Sequence, residues 1–231
     1  METVAVLTPT YNRAHTLTAL YKSLINQRSC AFIWYVVDDG STDKTEELVK
    51  NFVNERFEIA YIKKQNGGKH TAINEGIKHI KEPLTFIVDS DDFLSDDAIE
   101  TIIQDWETYV ANPKIAGMSY YKCFTDGKII GDPYPSNGVI VDSYTNIRIN
   151  RNIRGDKAEV FRTDVLRTHP FPEFKDEKFL SEAVAWNAIA RDGFQLAFVP
   201  KGIYYCEYLP GGLTASGRKY RLQGVCSALY R

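Results

Sequence analysis

The chain is predicted to be an α/β protein, a mostly parallel sheet with helices on both faces and a smaller mixed subregion. Three observations predict it. Over roughly the first 110 residues, short apolar runs of strand length alternate with segments whose apolar residues recur at helical spacing. Two of these runs, residues 33–37 and 84–88, stop at clusters of aspartate: Asp38-Asp39, and Asp89-Ser90-Asp91-Asp92. Beyond residue 112 the pattern changes to strand-like stretches separated by proline- and glycine-rich loops. No internal repeat or low-complexity linker interrupts the sequence. One continuous domain over 1–231 is therefore expected, with halves at 1–112 and 113–231.

The elements follow in order. Residues 4–8 are a short apolar strand, and Leu17, Leu20, Tyr21, Leu24 and Ile25 mark a helix. Residues 33–37 form the second strand. Asp43 is placed to cap the next helix, with Glu46 three residues on and a buried stripe of Leu48, Val49, Phe52 and Val53. Residues 59–63 are the third strand. Residues 71–80 are a helix that turns Ala72, Ile73, Gly76, Ile77 and Ile80 inward. After the fourth strand, 84–88, Ser95 is expected to cap a long helix with Ile99, Ile102, Ile103, Trp106 and Val110 on its apolar face. Strands joined by helices of this length imply right-handed βαβ units.

In the second half, residues 115–124 read as strand, Asp126-Gly127 as a hairpin turn, and 132–138 as a loop. Residues 157–162 alternate like a strand and 163–167 read as a short helix. Ser181 can cap a helix that runs to Arg191 and closes at Gly193. Residues 198–209 supply more strand, 210–217 a glycine-rich loop, and Leu222, Val225, Cys226 and Leu229 a last amphipathic helix.

Composition narrows the class. Hydrophobic content of 44% and charged content of 25% suit a globular domain, and a net charge of −2 gives no support to general nucleic-acid binding. The cysteines Cys30, Cys123, Cys206 and Cys226 lie far apart without metal-ligand spacing and read as reduced, mostly buried thiols of a cytoplasmic protein. The start, Met1-Glu-Thr-Val, lacks a signal peptide's basic and apolar regions, and no apolar run nears the ~20 residues that span a bilayer. The sequence stops at Arg231 inside a helical pattern, so a longer natural chain is expected.

Ligands of open α/β sheets sit beyond the carboxyl ends of the strands. The chemistry-bearing segments all fall there: Thr8-Pro9-Thr-Tyr11-Asn-Arg13, Asp38-Asp39-Gly-Ser-Thr-Asp43, Lys64-Gln-Asn66-Gly-Gly-Lys69-His70, and Asp89-Ser90-Asp91-Asp92. Acidic groups at the end of a buried strand need a partner. A hard divalent cation, which prefers oxygen ligands and neutralises phosphate, is a natural one.

These segments resemble the inverting nucleotide-sugar glycosyltransferases of family 2, with the GT-A type, Rossmann-like fold. The likeness rests on Pro-Thr-Tyr-Asn, Val37-Asp-Asp-Gly-Ser-Thr-Asp43, Asn66-Gly-Gly, Ala72-Ile-Asn-Glu-Gly76 and above all Val88-Asp-Ser-Asp-Asp92, an Asp-x-Asp element. It is strong over roughly the first 110 residues and weak after them. It implies a metal-dependent hexosyl- or N-acetylhexosaminyltransferase that moves a sugar from a nucleoside diphosphate, a UDP-sugar by resemblance, to an acceptor hydroxyl. Mn²⁺ or Mg²⁺ would be bound by Asp91, with Asp89 on the metal or the ribose and Ser90 between them. Tyr11 would stack on the base, Asp39 or Asp38 would accept from its ring N–H, and Thr8, Pro9, Arg13 and Asn66 would line the donor site. A plain turn remains an equal reading for Asp38.

Lys69 offsets donor charge or is a solvated lysine. Many relatives carry Arg where this chain has Ile73, and Lys69 or His70 would have to replace it. Glu182, in Phe179-Leu-Ser-Glu-Ala-Val-Ala-Trp186, stands where relatives keep the catalytic base; Asp176 and Glu177 are the fallbacks, and Trp186 reads as core. Asp156 and Glu159 resemble sugar-pocket residues, or form a charged hairpin edge. The loop 208–217 would fold over the diphosphate, and Arg218, Lys219 and Arg221 would meet phosphate or an anionic membrane surface. The resemblance places the protein in bacterial surface polysaccharide or lipid-linked glycan synthesis, on the cytoplasmic face of the membrane. Two alternatives stand beside it. A nucleotidyltransferase would carry a glycine-rich basic loop after the first strand, which Thr8-Pro-Thr-Tyr-Asn-Arg13 is not. A non-catalytic nucleotide-sugar-binding module would not need the full acidic set.

Overall fold

The computed structural model describes residues 3–174 and 177–206. In chain order the elements are β1 (Val4–Thr10), α1 (Leu17–Ile25), β2 (Phe32–Asp38), α2 (Thr45–Lys50), β3 (Glu58–Lys63), α3 (Lys69–His79), β4 (Leu84–Ile87), β5 (Phe93–Leu94) and α4 (Ala98–Tyr109). Then come β6 (Ile115–Phe124), β7 (Ile140–Asp142), a π-helical turn (Asn146–Asn150), β8 (Lys157–Arg162), α5 (Thr163–Thr168), α6 (Ala183–Arg191) and β9 (Gln195–Cys206). The described strands form one sheet in the order β3-β2-β1-β4-β8-β6-β9-β5, with β7 also on β9. The first four in that order are parallel. β8 is antiparallel to both its neighbours, so the second half is mixed, as expected.

Both faces of the sheet are covered. Val4, Val6, Trp34, Val36 and Phe86 pack with Leu20 and Leu24 of α1 and Ile99, Ile102 and Trp106 of α4. Alternate residues Ala5, Leu7, Tyr35 and Val37 face Ala72, Ile73 and Ile77 of α3, in a cluster that also holds Trp186 and Ile189 of α6. A strand buried on both sides has no polar face, which is why β1 and β2 read as continuous apolar runs. α3 lies unusually close to the sheet. A β-carbon on Gly76 would stand 2.4 Å from Leu7 Cδ1 and 2.9 Å from Val37 Cγ2, so this helix position tolerates only glycine without displacement.

Several local expectations are corrected. α2 ends at Lys50, leaving Val53 84% exposed, and Val110 lies past α4 and is 51% exposed. Asp43 is not the cap of α2; Lys44 holds that place, and Asp43 Oδ1 accepts from the Thr45 amide. Ser95 likewise gives way to Asp97, to whose Oδ1 it donates, and Ser181 gives way to Glu182. The sequence reading missed β5 and β7, which are too short to show alternation and exist through their antiparallel pairing with β9. Gly127, at φ +83°, makes the expected hairpin turn between Phe124 and Lys128. Cys30, Cys123 and Cys206 are free thiols, Cys123 buried and Cys30 exposed. No helix among the described residues is long and apolar enough to cross a membrane. The expected loop 208–217, the last helix with Cys226, the basic residues Arg218, Lys219 and Arg221, and Asp176 lie outside the described residues.

Candidate active site

The strand order reverses at β1, which has β2 on one side and β4 on the other. That reversal opens a crevice at the carboxyl ends of the strands. β4 pairing stops at Leu7↔Ile87, while β1 runs on against β2 to Thr10↔Asp38. Pro9 therefore has its nitrogen on the side where β4 has ended, and its missing N–H costs no ladder bond. Thr8 is fully buried and accepts from Trp34 Nε1 at 2.9 Å. The loop that follows is stitched to the β2 loop: Asn12 Oδ1 accepts from the Thr42 amide, and Ser41 Oγ from the Asn12 amide. Tyr11 on this loop is 47% exposed, free to meet a flat ligand.

The two aspartates after β2 differ. Asp38 is fully buried; its oxygens accept from the Ser41 amide and the Tyr61 hydroxyl, so the side chain serves the turn and not the crevice. Burial, with Asp38 beside it, pushes the Tyr61 phenol up. Asp39 organises the β3–α3 loop. Its oxygens take Lys64 Nζ at 2.8 Å, Asn66 Nδ2 at 3.0 Å, and the amides of Gly67 at 2.9 Å and Gly68 at 2.7 Å. Four donors fill a carboxylate's lone pairs, so in this arrangement Asp39 shapes the rim. The Asn66 side chain is spent the same way, on Asp39 and on Lys178 Nζ at 2.7 Å.

The cluster after β4 sits deeper. The Asp89 amide donates to the Tyr204 hydroxyl, which itself donates to Asp92 Oδ2 at 2.8 Å. Lys122 on β6 lies over the Tyr204 ring, 4.0 Å from its centroid, and pairs with Asp89 at 3.4 Å and Asp92 at 4.0 Å. Lys69, the first residue of α3, bridges Asp89 and Glu182, with 2.6 Å to Glu182 Oε1. Burial works to raise the Asp89 carboxyl, but the Lys69 and Lys122 ammonium groups outweigh it and hold Asp89 well below the usual range. Burial likewise opposes the charge on Lys69, and Asp89 and Glu182 reverse that and push it up. Asp92 behaves oppositely: burial and the neighbouring Asp89 charge raise it to about 6. Ser90 between them is 5% exposed. Asp91 stands apart, its carboxylate 30% exposed and 3.5 Å from Arg13.

Lys69, Asp89, Lys122, Glu182 and Trp186 line a single cleft together with Ile87, Lys157 and Glu159. The structure thus brings Asp89 and Glu182, the expected base, onto the same Lys69 ammonium. Trp186 is 4% exposed and stacks on Phe161 at 4.2 Å, so it is core with one edge on the cleft. Glu159 accepts from Ser119 Oγ at 3.4 Å, and burial raises its carboxyl to about 7 despite Arg148 and Lys122 nearby. Lys157, 4% exposed, donates to the Ile130 carbonyl, and burial followed by Arg148 lowers it to about 8. His70 is 2% exposed with Nδ1 unpartnered; its imidazole is lowered by burial, and it does not line the cleft. The sequence reading gave no role to Lys64 or Lys157 and missed Lys122 and Tyr204. The lysines in strands did leave a signal: a lysine inside an apolar strand is rarely buried unless paired.

The carboxylates can be tested for a divalent cation. Among the described residues, no three Asp, Glu, His or Cys side chains come together as a cage. Both Asp89 oxygens are on lysines and Asp92 is on Tyr204. Asp91 is about as accessible as Asp89, 30% against 27% exposed, but among the described residues its ion pair is the loose one, with Arg13 at 3.5 Å. One carboxylate completed by substrate phosphates is the usual way Mg²⁺-type ions are held, so the residues fit such an ion through Asp91.

Thirty-one percent of 156 aligned residues are identical to "Glycosyltransferase GlyA" of Streptococcus pneumoniae, covering 65% of this chain and 21% of the relative. "Glycosyltransferase GlyG" of the same organism is 33% identical over 121 residues, 52% of this chain and 40% of the relative. The chain thus spans a fifth to two fifths of the lengths of these two curated relatives. In fold it matches S. aureus TarS in complex with UDP-GlcNAc, at TM-score 0.72 and 21% identity over 99% of this chain and 69% of TarS 1–349. It also matches the mannosyltransferase PcManGT of Pyrobaculum calidifontis in complex with GDP-Man and Mn²⁺, at TM-score 0.67 and 20% identity over 95% of this chain and 61% of that one. These likenesses establish the GT-A fold. The sequence profile described as glycosyl transferase family 2 matches residues 5–167, and with that match the chain belongs to glycosyl transferase family 2.

Proposed function

We propose that the chain is the catalytic domain of an inverting, metal-dependent glycosyltransferase that transfers a sugar from a UDP-sugar to an acceptor hydroxyl. The observation that carries this is the Lys69 bridge, which ties the Asp-x-Asp cluster at the end of β4 to Glu182 at the start of α6. A donor held by its diphosphate beside Asp91 and Arg13 brings its anomeric carbon toward the cleft where Glu182 stands. Glu182 takes the proton of the incoming hydroxyl as that oxygen bonds to the anomeric carbon and the bond to the diphosphate breaks. One displacement from the face opposite the leaving group inverts the centre. A cation on Asp91 would supply Lewis-acid stabilisation of the departing diphosphate. Lys69 and Lys122 add fixed positive charge along the cleft, in place of the arginine that Ile73 replaces. Tyr11 offers the base a face to stack on. In this reading the acceptor is a surface glycan or lipid-linked sugar reached from the cytoplasmic side of the membrane.

The test is direct. The protein is incubated with UDP-glucose, UDP-N-acetylglucosamine, UDP-galactose or GDP-mannose in Mn²⁺, and free nucleoside diphosphate is followed. Slow release from a UDP-sugar without acceptor is expected. Absence of release from every donor, together with no binding of UDP or GDP at saturating Mn²⁺, would overturn the proposal.

A further inference from the structure

The segment that delivers Glu182 has no regular secondary structure. Residues 171–174 and 177–182 lie between α5 and α6, and the segment ends at Glu182 on the cleft. Such a segment has no ladder to fix it, and its own polar groups must be satisfied from outside. α3 satisfies them from one side, with a chain of contacts that ends at the base.

Asn74, 8% exposed in the middle of α3, uses its side-chain amide as a strand uses its backbone. Oδ1 accepts the Phe171 amide at 2.9 Å, and Nδ2 donates to the Phe171 carbonyl at 2.8 Å and to Glu173 Oε1 at 2.8 Å. At the head of the helix, Gly68 gives the same segment a close seat. A β-carbon there would stand 2.2 Å from the Lys178 carbonyl oxygen, and φ is +101°. Lys178 Nζ reaches back to Asn66 Oδ1 at 2.7 Å. Phe171 and Leu180 bury their side chains in the core on this face, Phe171 edge-on to Trp186 at 5.7 Å. The last contact is Lys69 on Glu182.

We infer that Asn74 is a positioning residue for the base: with Gly68 it holds residues 171–174 and 177–182 on α3 so that Glu182 stands at the cleft. This rests on the reading of Glu182 as base. The loop that leads into α3 is also the one organised by Asp39. The helix is thereby the common reference for the donor rim and the base, although Asn74 touches neither. A displacement of about 1 Å at a reacting group can cost ~100-fold in rate while ligand affinity stays.

The experiment compares wild type, Asn74→Ala and Lys178→Met; the second variant loses only a surface contact and keeps the test open should the first fold poorly. UDP affinity in Mn²⁺ is measured by calorimetry. Turnover is measured as UDP release from whichever of UDP-glucose, UDP-N-acetylglucosamine or UDP-galactose the wild type uses. Amide exchange is followed in residues 177–182. Asn74→Ala should lower kcat by ~10- to 100-fold with UDP affinity changed less than ~2-fold. Amides of 177–182 should exchange faster while those of α1 and α4 do not, and Lys178→Met should show the same split more weakly. Wild-type kcat in both variants, or a loss of UDP affinity as large as the loss of kcat, overturns the inference alone. A wild-type protein that turns over no donor overturns the proposed function first and the inference with it.

Discussion

Glu159 is the place where the cleft most clearly acts against stability. Its carboxyl rises from 4.5 to about 7 because it is buried in the cleft wall, where the Ser119 hydroxyl donates to it at 3.4 Å. A group whose pKa is raised on folding contributes most below its unfolded pKa, and that contribution is lost as pH rises through the folded pKa. The window here runs from pH 4.5 to about 7. At about 1.4 kcal/mol per unit, the ionised form costs the fold about 3 kcal/mol once pH exceeds both values. Glu159→Gln keeps the shape and cannot ionise, so the variant should match wild type near pH 4.5 and gain steadily above it. For a chain of this length, 1 kcal/mol moves Tm by about 2–4 °C. The gain should therefore approach 6–12 °C at pH 8.5, by roughly the same conversion. Asp92 also titrates with the fold, but it is common to both proteins and cancels in the difference; Lys157 is held up in part by the Glu159 charge, so the slope is read between pH 4.5 and about 7, below the Lys157 titration. Thermal unfolding of the pair at half-unit steps from pH 4.5 to 8.5 is the assay. A constant Tm difference across that range would refute the reasoning, because the cost would then not come from ionisation.

Other outcomes follow from the same geometry. Asp91→Asn should lower turnover by at least ~100-fold and abolish the Mn²⁺ dependence of UDP binding; equal UDP affinity with and without Mn²⁺ in wild type would sink this role. Glu182→Gln should keep UDP affinity and lose ~10²- to 10⁴-fold in turnover, the range of a general base, and wild-type turnover would place the base elsewhere. Gly76→Ala sets two effects against each other. Helix propensity favours alanine by about 1 kcal/mol, while overpacking against Leu7 and Val37 costs about 1–3 kcal/mol, so urea unfolding should show a net loss; a stabilised variant would mean that β1 and α3 can separate.

Legibility in the sequence followed the length of the periodic signal. β1 to β4 and the helices between them were readable because β1, β2 and β4 are buried on both faces, β3 at the sheet edge is half-buried, and each helix has one apolar stripe; the crevice followed from where those strands end. β5 and β7 were not, since two or three residues carry no period. The helix caps failed for a related reason: Asp43, Ser95 and Ser181 all lie one or two residues ahead of the true cap, where Asp43 accepts from the Thr45 amide and Ser95 donates to Asp97.

The site divides along the same line. The types of side chain at the crevice were visible, but their partners were not, because those partners come from far along the chain. Asp39 and Asp89 were both read as ligand contacts, yet Asp39 is filled by the β3–α3 loop and Asp89 by Lys69 and Lys122. No spacing rule links residue 89 to 122 or 204. What the sequence did show was a lysine, Lys122, inside the apolar strand β6. An ammonium inside an apolar strand is costly unless paired, and the aspartates at the end of β4 were the available partners. Pairing these two anomalies would have joined the halves of the chain before any coordinates: a buried cation in a strand and a cluster of anions past another strand each predict the other's presence at the same end of the sheet.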